Sequence, residues 1–359
     1  MADTRPQVFI ESAALDIGWR DESLNLSELI FRTVRRAIDE SVEGIHGIES
    51  VVLAAHDLVD GRSLSSMVTA PAAGAYLRDE IRYGDDGAAA FAAAVVRIEA
   101  GECSRSIVAA WGRSSEHDVD ELSRKLFDPL FHGPLGLDEL QVSAMRAQAW
   151  AQAGGRREDH AQAIARRREA AASNPRAVRG PTRPVAGTYP LTTGDLPVWA
   201  DIAVAVVLSS RGGPVRVTGM GQASEPYAIG DRDLKQMTSA RKAAELALRE
   251  AGVSAADLDL FELDGLTLMD EALLLEAVGL APTGQGLAVL ARDKRVNASG
   301  GGGAGYCAPT MGLVRIVEAT LQIQGRAGAI QQPGVRRALA IGSSLVAAQT
   351  HTAVVLEAV

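Results

Sequence analysis

The sequence predicts a duplicated α/β protein, and three observations carry that expectation. Short apolar runs without polar alternation, Ser50–Ala55 and Ser106–Trp111 early and Leu258–Leu263, Ala338–Ile341 and His351–Glu357 late, suit strands covered on both faces. Glycine-rich turns fall at matching places: Gly84–Asp85–Asp86–Gly87 opens a long small-residue helix, and Ser299–Gly305 precedes a second, apolar one. The order helix, strand, glycine turn, long helix, strand then occurs twice.

The first helix, Leu24–Ser41, is amphipathic, with Leu26, Leu29, Ile30, Val34 and Ile38 at three- and four-residue spacing, and Ser23 or Asn25 supplies its cap. Gly44 and Gly47 end it before the Ser50–Ala55 strand. Asp85–Ala100 is so rich in alanine that it can approach a sheet closely, and Ser106–Trp111 follows as a buried strand. Gln148–Pro184, rich in Arg, Ala and Gln, holds a helix over Glu158–Ser173 and reads as a charged surface elaboration. Ser239–Ala251 and Thr310–Gln324 are the helices of the second half. The expected division is a first half at 1–114, an excursion at 115–195 and a second half at 196–359.

With 359 residues, 47% hydrophobic and only 4% aromatic, the core is filled by Ala, Val, Leu and Ile around 36 glycines. The net charge of −9 argues against a general binder of nucleic acid or anionic membranes. No apolar run reaches the ~18 residues of a membrane span, and Met1–Pro6 has no signal-peptide core, so a cytoplasmic protein is expected. Two cysteines, Cys103 and Cys307, make neither a disulfide scaffold nor a zinc site by themselves. His46, His56, His117, His132, His160 and His351 are scattered without ligand spacing, so no metal is expected. No phosphate loop is present, and Gly300–Gly305 lacks the strand, elbow and acidic residue of a dinucleotide fingerprint.

Several segments together resemble the thiolase superfamily, particularly the thiolases related to sterol carrier protein. Val296–Gly312 (VNASGGGGAGYCAPTMG) is similar to that family's NPSGG…GHPxGATG, with Asn297, Ser299, Gly300, Gly301, Gly305 and Gly312 in place. Asp86–Ala90 with Ala100–Gly101 resembles the helix after the nucleophile, Asn174–Ala177 the NPxA loop, and Glu271–Leu280 the acidic helix ending in GL. The resemblance implies a five-layer αβαβα thiolase fold and an acyl-CoA thioester as substrate, with no further cofactor. It also implies a homodimer paired through first-half strands, placed here around Ser106–Ser114.

The sequence departs from the family at each reacting position. Gly84 stands where the nucleophilic Cys belongs, Tyr306 in the GHP histidine's place, and Asp264–Gly265 at the HD pair; Gly342–Ser343–Ser344 occupies the region of the second Cys. Counted without a gap in the glycine run, Cys307 takes the histidine's place instead; otherwise it is a small buried filler. A covalent acyl-enzyme is therefore not expected at the first turn.

One cysteine-less branch of the superfamily cleaves β-hydroxyacyl-CoA by retro-aldol chemistry, using tyrosines as acid and base beside a small OB-fold and zinc-ribbon partner. On that resemblance Tyr306 is the acid/base group, with Asp264 a base if buried near it, or else a turn residue before Gly265, and Ser344 a proton relay. Asn297, Gly305 and Gly84 would surround the thioester, and Arg166 and Arg168, with Arg156–Arg157, would meet the CoA phosphates or form a solvated helix face. Two alternatives stand beside this: a non-catalytic subunit paired with an active homologue, and a carrier of acyl-CoA or lipid.

Overall fold

The first nine strands and helices of a computed structural model run β1 (Val8–Gly18), α1 (Leu26–Glu40), β2 (Ser50–Ala54), α2 (Asp57–Asp60), α3 (Ser66–Ala72), β3 (Asp79–Tyr83), α4 (Gly87–Glu99), β4 (Arg105–Arg113) and α5 (Val119–Leu126). Then follow α6 (Glu139–Gln152), α7 (His160–Ser173), β5 (Asp201–Ser209), β6 (Val215–Ser224), α8 (Thr238–Ala251), β7 (Leu260–Leu263), α9 (Leu268–Ala277), α10 (Gly286–Arg292), α11 (Met311–Ile323), β8 (Arg337–Ser343) and β9 (Thr350–Ala358). The structure describes residues 5–182 and 187–359; Met1–Thr4 of the amino-terminal segment and positions 183–186 of the excursion lie outside them.

Local chemistry sets the elements. Asn25, not Ser23, caps α1: its side chain accepts from Glu28 N at 3.0 Å while Glu28 accepts from Asn25 N at 2.8 Å, and the stripe from Leu26 to Ile38 is buried. Strands β4 and β5 are buried along their whole length, which is why they carry apolar residues without alternation. The charge in β4 is satisfied, because Arg105 meets Glu11 of β1 at 2.6 Å inside the protein.

The strands form one hydrogen-bonded series, β3-β2-β4-β5-β1-β6-β9-β8-β7. Its two mixed parts meet through only three residue pairs, Val8–Val217, Phe9–Arg216 and Ile10–Val215. The sequence reading assigned no strand to β1, β3, β5 or β6. The strand β5, which follows the excursion, completes the first part by pairing with β4 and β1. Strand β4 lies inside the sheet, with β2 beside Ser106–Ala110 on one side and β5 along Arg105–Arg113 on the other, so the exposed edge of this part is β3.

Three apolar cores give the layers. Alanines of α3 and the stripe of α1 cover the outer face of the first part, and α8, α9 and α10 cover the outer face of the second. Between the two parts lie α4 and α11, sharing one core with residues of β1, β2, β4, β5, β8 and β9. That is the five-layer αβαβα order that the resemblance implies. No helix of the described residues is long and apolar enough to cross a membrane.

The middle layer is pinned by Asp86. Its carboxylate caps α4 by accepting from Ala88 N at 2.8 Å and reaches across the duplication to accept from Gly312 N, also at 2.8 Å, in the first turn of α11. A Cβ on Gly312 would lie 2.0 Å from that carboxylate. Gly312→Ala is accordingly expected to cost about 1–3 kcal/mol through overpacking. Urea unfolding measures it, and an unchanged midpoint would contradict the packing described.

Candidate active site

The ends of β7 and β8, the segment before α11, and helices α5 and α6 enclose a cavity of about 70 Å³. Val119, Leu122 and Leu126 of α5 form an apolar wall; Asp264, Tyr306, Glu139, Asp270 and Ser344 supply polar groups.

Asp264 is placed by the end of β7. Asn297 acts there as a substitute strand, its amide oxygen accepting from Leu263 N at 2.7 Å and its amide nitrogen donating to Leu263 O at 3.2 Å. Asp264 N donates to Ile341 O at 3.0 Å, and its Oδ2 accepts from Ser343 N at 3.1 Å. Its Oδ1 is buried with no hydrogen-bond partner among the described residues. Burial pushes the Asp264 carboxyl up to about 7, against the pull of Arg315 and of the Ser343 N–H. Asp86 lies close enough that the Asp264 charge adds to the burial that drives its own carboxyl well above the ordinary range.

Tyr306 is fixed by main-chain bonds. Its N–H donates to Val198 O at 2.8 Å and its carbonyl accepts from Ala200 N at 3.0 Å, setting the ring edge-on to Trp199 at 5.5 Å. The turn before it needs glycine: Gly305 has φ +152°, and a Cβ there would lie 2.9 Å from Ile17. Burial, followed by the charges of Asp264, Glu139, Asp270 and Asp86, holds the phenol well above its usual value of 10. Tyr306 is therefore a donor, and a poor base.

Glu139, in the first turn of α6, accepts from Ala347 N at 2.7 Å, and burial pushes its carboxyl up to about 8. Thr267 caps α9 by accepting from Asp270 N at 3.2 Å, the Asp270 carboxylate accepts back from Thr267 N at 3.1 Å, and Asp270 meets Arg146 at 3.4 Å. Ser344 Oγ accepts from Thr350 N at 3.0 Å. Cys307 also lines the cavity, but burial raises its thiol to about 12, so it holds its proton and is no nucleophile near neutral pH.

Of the residues singled out in the sequence, Tyr306, Asp264 and Ser344 come together here. Gly84, Asn297, Gly305, Arg166 and Arg168 do not line this cavity. Asn297 and Gly305 act one residue away, aiming Asp264 and Tyr306. Gly84 lies near His56, and the neighbouring Asp85 accepts from Leu345 N at 2.9 Å. Arg166 donates to Val296 O at 2.7 Å, Arg168 is exposed, Arg157 donates to Pro190 O at 3.1 Å, and Arg156 pairs with Glu158 at 2.7 Å. Glu139 and Asp270 were not singled out. The sequence signal for Glu139 is the Asp138–Gln141 capping box, which marks a helix start with an acidic first turn.

Residues 221–357 match the family model described as thiolase C-terminal domain-like. The second half is thiolase-like. A segment of 107 residues is 34% identical to sterol carrier protein 2 of Rattus norvegicus and 33% identical to that of Homo sapiens, covering 28% of this chain and 20% of each relative. The match thus spans about a fifth of those proteins. Among solved structures, an Ltp2-ChsH2(DUF35) aldolase superposes with a TM-score of 0.80 at 17% identity, over 99% of this chain and 98% of that one. A monomeric SCP2-thiolase-like protein type 1 from Mycobacterium smegmatis gives 0.72 at 17% identity, over 99% of this chain and 78% of that one. These likenesses establish the thiolase-like fold over the whole chain.

The buried carboxyls make stability depend on pH in a defined direction. Asp264 and Glu139 keep protons to about 7 and about 8, whereas in the unfolded chain they lose them near 3.8 and 4.5. Unfolding therefore releases protons across that window, and stability falls as pH rises through it. Asp264→Asn should flatten the decline up to about 7 in urea unfolding followed against pH; an unaltered slope would contradict the assignment.

Proposed function

We propose that this chain is a cysteine-free carbon–carbon lyase acting on β-hydroxyacyl-CoA thioesters by retro-aldol cleavage. The observation that carries the reading is the pairing, in one cavity, of a phenol held in its protonated form with a carboxyl that titrates near neutrality. A retro-aldol step needs those two functions: a base for the β-hydroxyl proton and a donor for the negative charge that develops on the thioester oxygen.

Asp264, when ionised, takes the hydroxyl proton. The β-carbon oxygen becomes a carbonyl, the bond between the α- and β-carbons breaks, and its electron pair enters the thioester enolate. Tyr306 donates to the enolate oxygen. No acyl-enzyme is formed, in keeping with Gly84 at the first turn and a protonated thiol on Cys307. The apolar wall from α5 suits the aliphatic carbons next to the reacting centre, the rest of a steroid-type acyl portion lying outside a cavity of about 70 Å³, and the cytoplasm is the compartment we assign. The aldolase among the structural neighbours carries a DUF35 partner. For this chain we propose a corresponding small OB-fold and zinc-ribbon partner. Convergence of titratable groups favours this reading over a purely non-catalytic subunit or a lipid carrier, neither of which needs it.

Tyr306→Phe keeps the ring against Trp199 and removes only the hydroxyl. It should lower kcat for a β-hydroxyacyl-CoA about 10²-fold or more, with the thermal unfolding midpoint unchanged, assayed with the partner present. Full activity in that variant would remove Tyr306 from the reaction.

A further inference from the structure

Cleavage leaves an enolate that must be protonated at its α-carbon, which belongs to the other fragment from the oxygen that Asp264 serves. We propose that Glu139 is the proton donor to the α-carbon; the assignment rests on the lyase reading above and extends it by one residue.

The geometry is that of a side chain held at the cavity. Glu139 lines the same cavity as Asp264 and Tyr306, at the first turn of α6. Its Oε1 accepts from Ala347 N at 2.7 Å, which ties the half-buried carboxyl to the loop after β8. The peptide that holds it is itself held: Ala347 O accepts from Arg146 at 2.6 Å and from Arg232 at 2.8 Å. Ala347 and Ala348 have φ of +51° and +42°, a left-handed pair without glycine that persists because these contacts over-determine it. A mere clamp for this loop would need only an acceptor. A carboxyl that stays protonated to about 8 is more than that.

The charged and titratable groups around Glu139 are Asp138 and Arg146 on its own helix, Asp270 of α9, Asp264 after β7, Tyr306, Arg232, and His117 and Arg113 across the cavity. In the step itself the Glu139 O–H bond breaks, a C–H bond forms at the α-carbon from the enolate's electron pair, and the shorter acyl thioester results. One cycle leaves Asp264 protonated and Glu139 ionised, and exchange with water restores both, so no further reactant is consumed.

Gln at this position retains the oxygen that Ala347 N requires and removes the proton. Glu139→Gln should therefore keep its thermal unfolding midpoint, lose about 10²-fold or more in cleavage of a β-hydroxyacyl-CoA, and cease to incorporate deuterium from D2O into the α-position of acetyl-CoA. Asp264→Asn should lose cleavage and keep that exchange. In the unmodified protein, activity should rise as pH passes about 7 and fall above about 8. Wild-type cleavage or exchange in Glu139→Gln, or no decline above pH 8 in the unmodified protein, would overturn the assignment with the lyase reading intact. An unmodified protein that neither cleaves nor exchanges, partner present, would overturn both.

Discussion

Burial of acidic groups around one phenol is the constraint on which the site depends. Asp86, Asp264, Asp270 and Glu139 all bear on Tyr306; the three aspartates are buried and Glu139 is half-buried. In such surroundings each added negative charge is expensive, so protons are retained that would be lost in water. Arg315 and Arg146 offset part of this, yet Asp264 still titrates near 7 and Glu139 near 8. The result is a graded set of proton-holding groups: a phenol that keeps its proton, a carboxyl that exchanges it near neutrality, and another that releases it slightly later. Separation of proton affinities by environment is how acid and base roles are divided among similar groups.

The scaffold makes that crowding tolerable. The duplication brings the N-terminal ends of α4 and α11 together in the middle layer, and Asp86 accepts backbone N–H bonds from both. Gly312 and Gly342 leave the space its carboxylate fills, since a Cβ on either would lie within 2.2 Å of it. Asn297 and Gly305 then fix the adjoining residues, Asp264 and Tyr306. These two residues of the glycine-rich segment that suggested a thioester pocket thus place side chains next to it.

Much of the fold was legible because burial on both faces leaves a strong mark: β2, β4, β7, β8 and β9 are apolar runs, and α1, α4, α8 and α11 lie close to the expected bounds. Strand β1 was obscured by Glu11, Ser12 and Asp16, whose polarity is compensated only by distant partners such as Arg105. Strand β6 was obscured by Gly219 and Gly221, which look like breaks but admit α8: a Cβ on either would lie about 2.1 or 2.0 Å from its carbonyl oxygens. In the site, Tyr306 and Asp264 were visible because they replace residues at recognisable positions. Glu139 was not, because it comes from the excursion and meets them only through tertiary packing. Of the α7 arginines that the resemblance set against the CoA phosphates, Arg166 and its neighbour Arg167 are engaged within the protein, whereas Arg168 is exposed.

The central claim is that Tyr306 remains a phenol where an ordinary tyrosine ionises. Spectroscopic titration of the protein against Tyr306→Phe isolates this residue among the five tyrosines by difference in tyrosinate absorbance. The account predicts no tyrosinate from Tyr306 as pH is taken through 10, the usual value. Ionisation of Tyr306 at or below that pH would show a base in its place and contradict the division of roles.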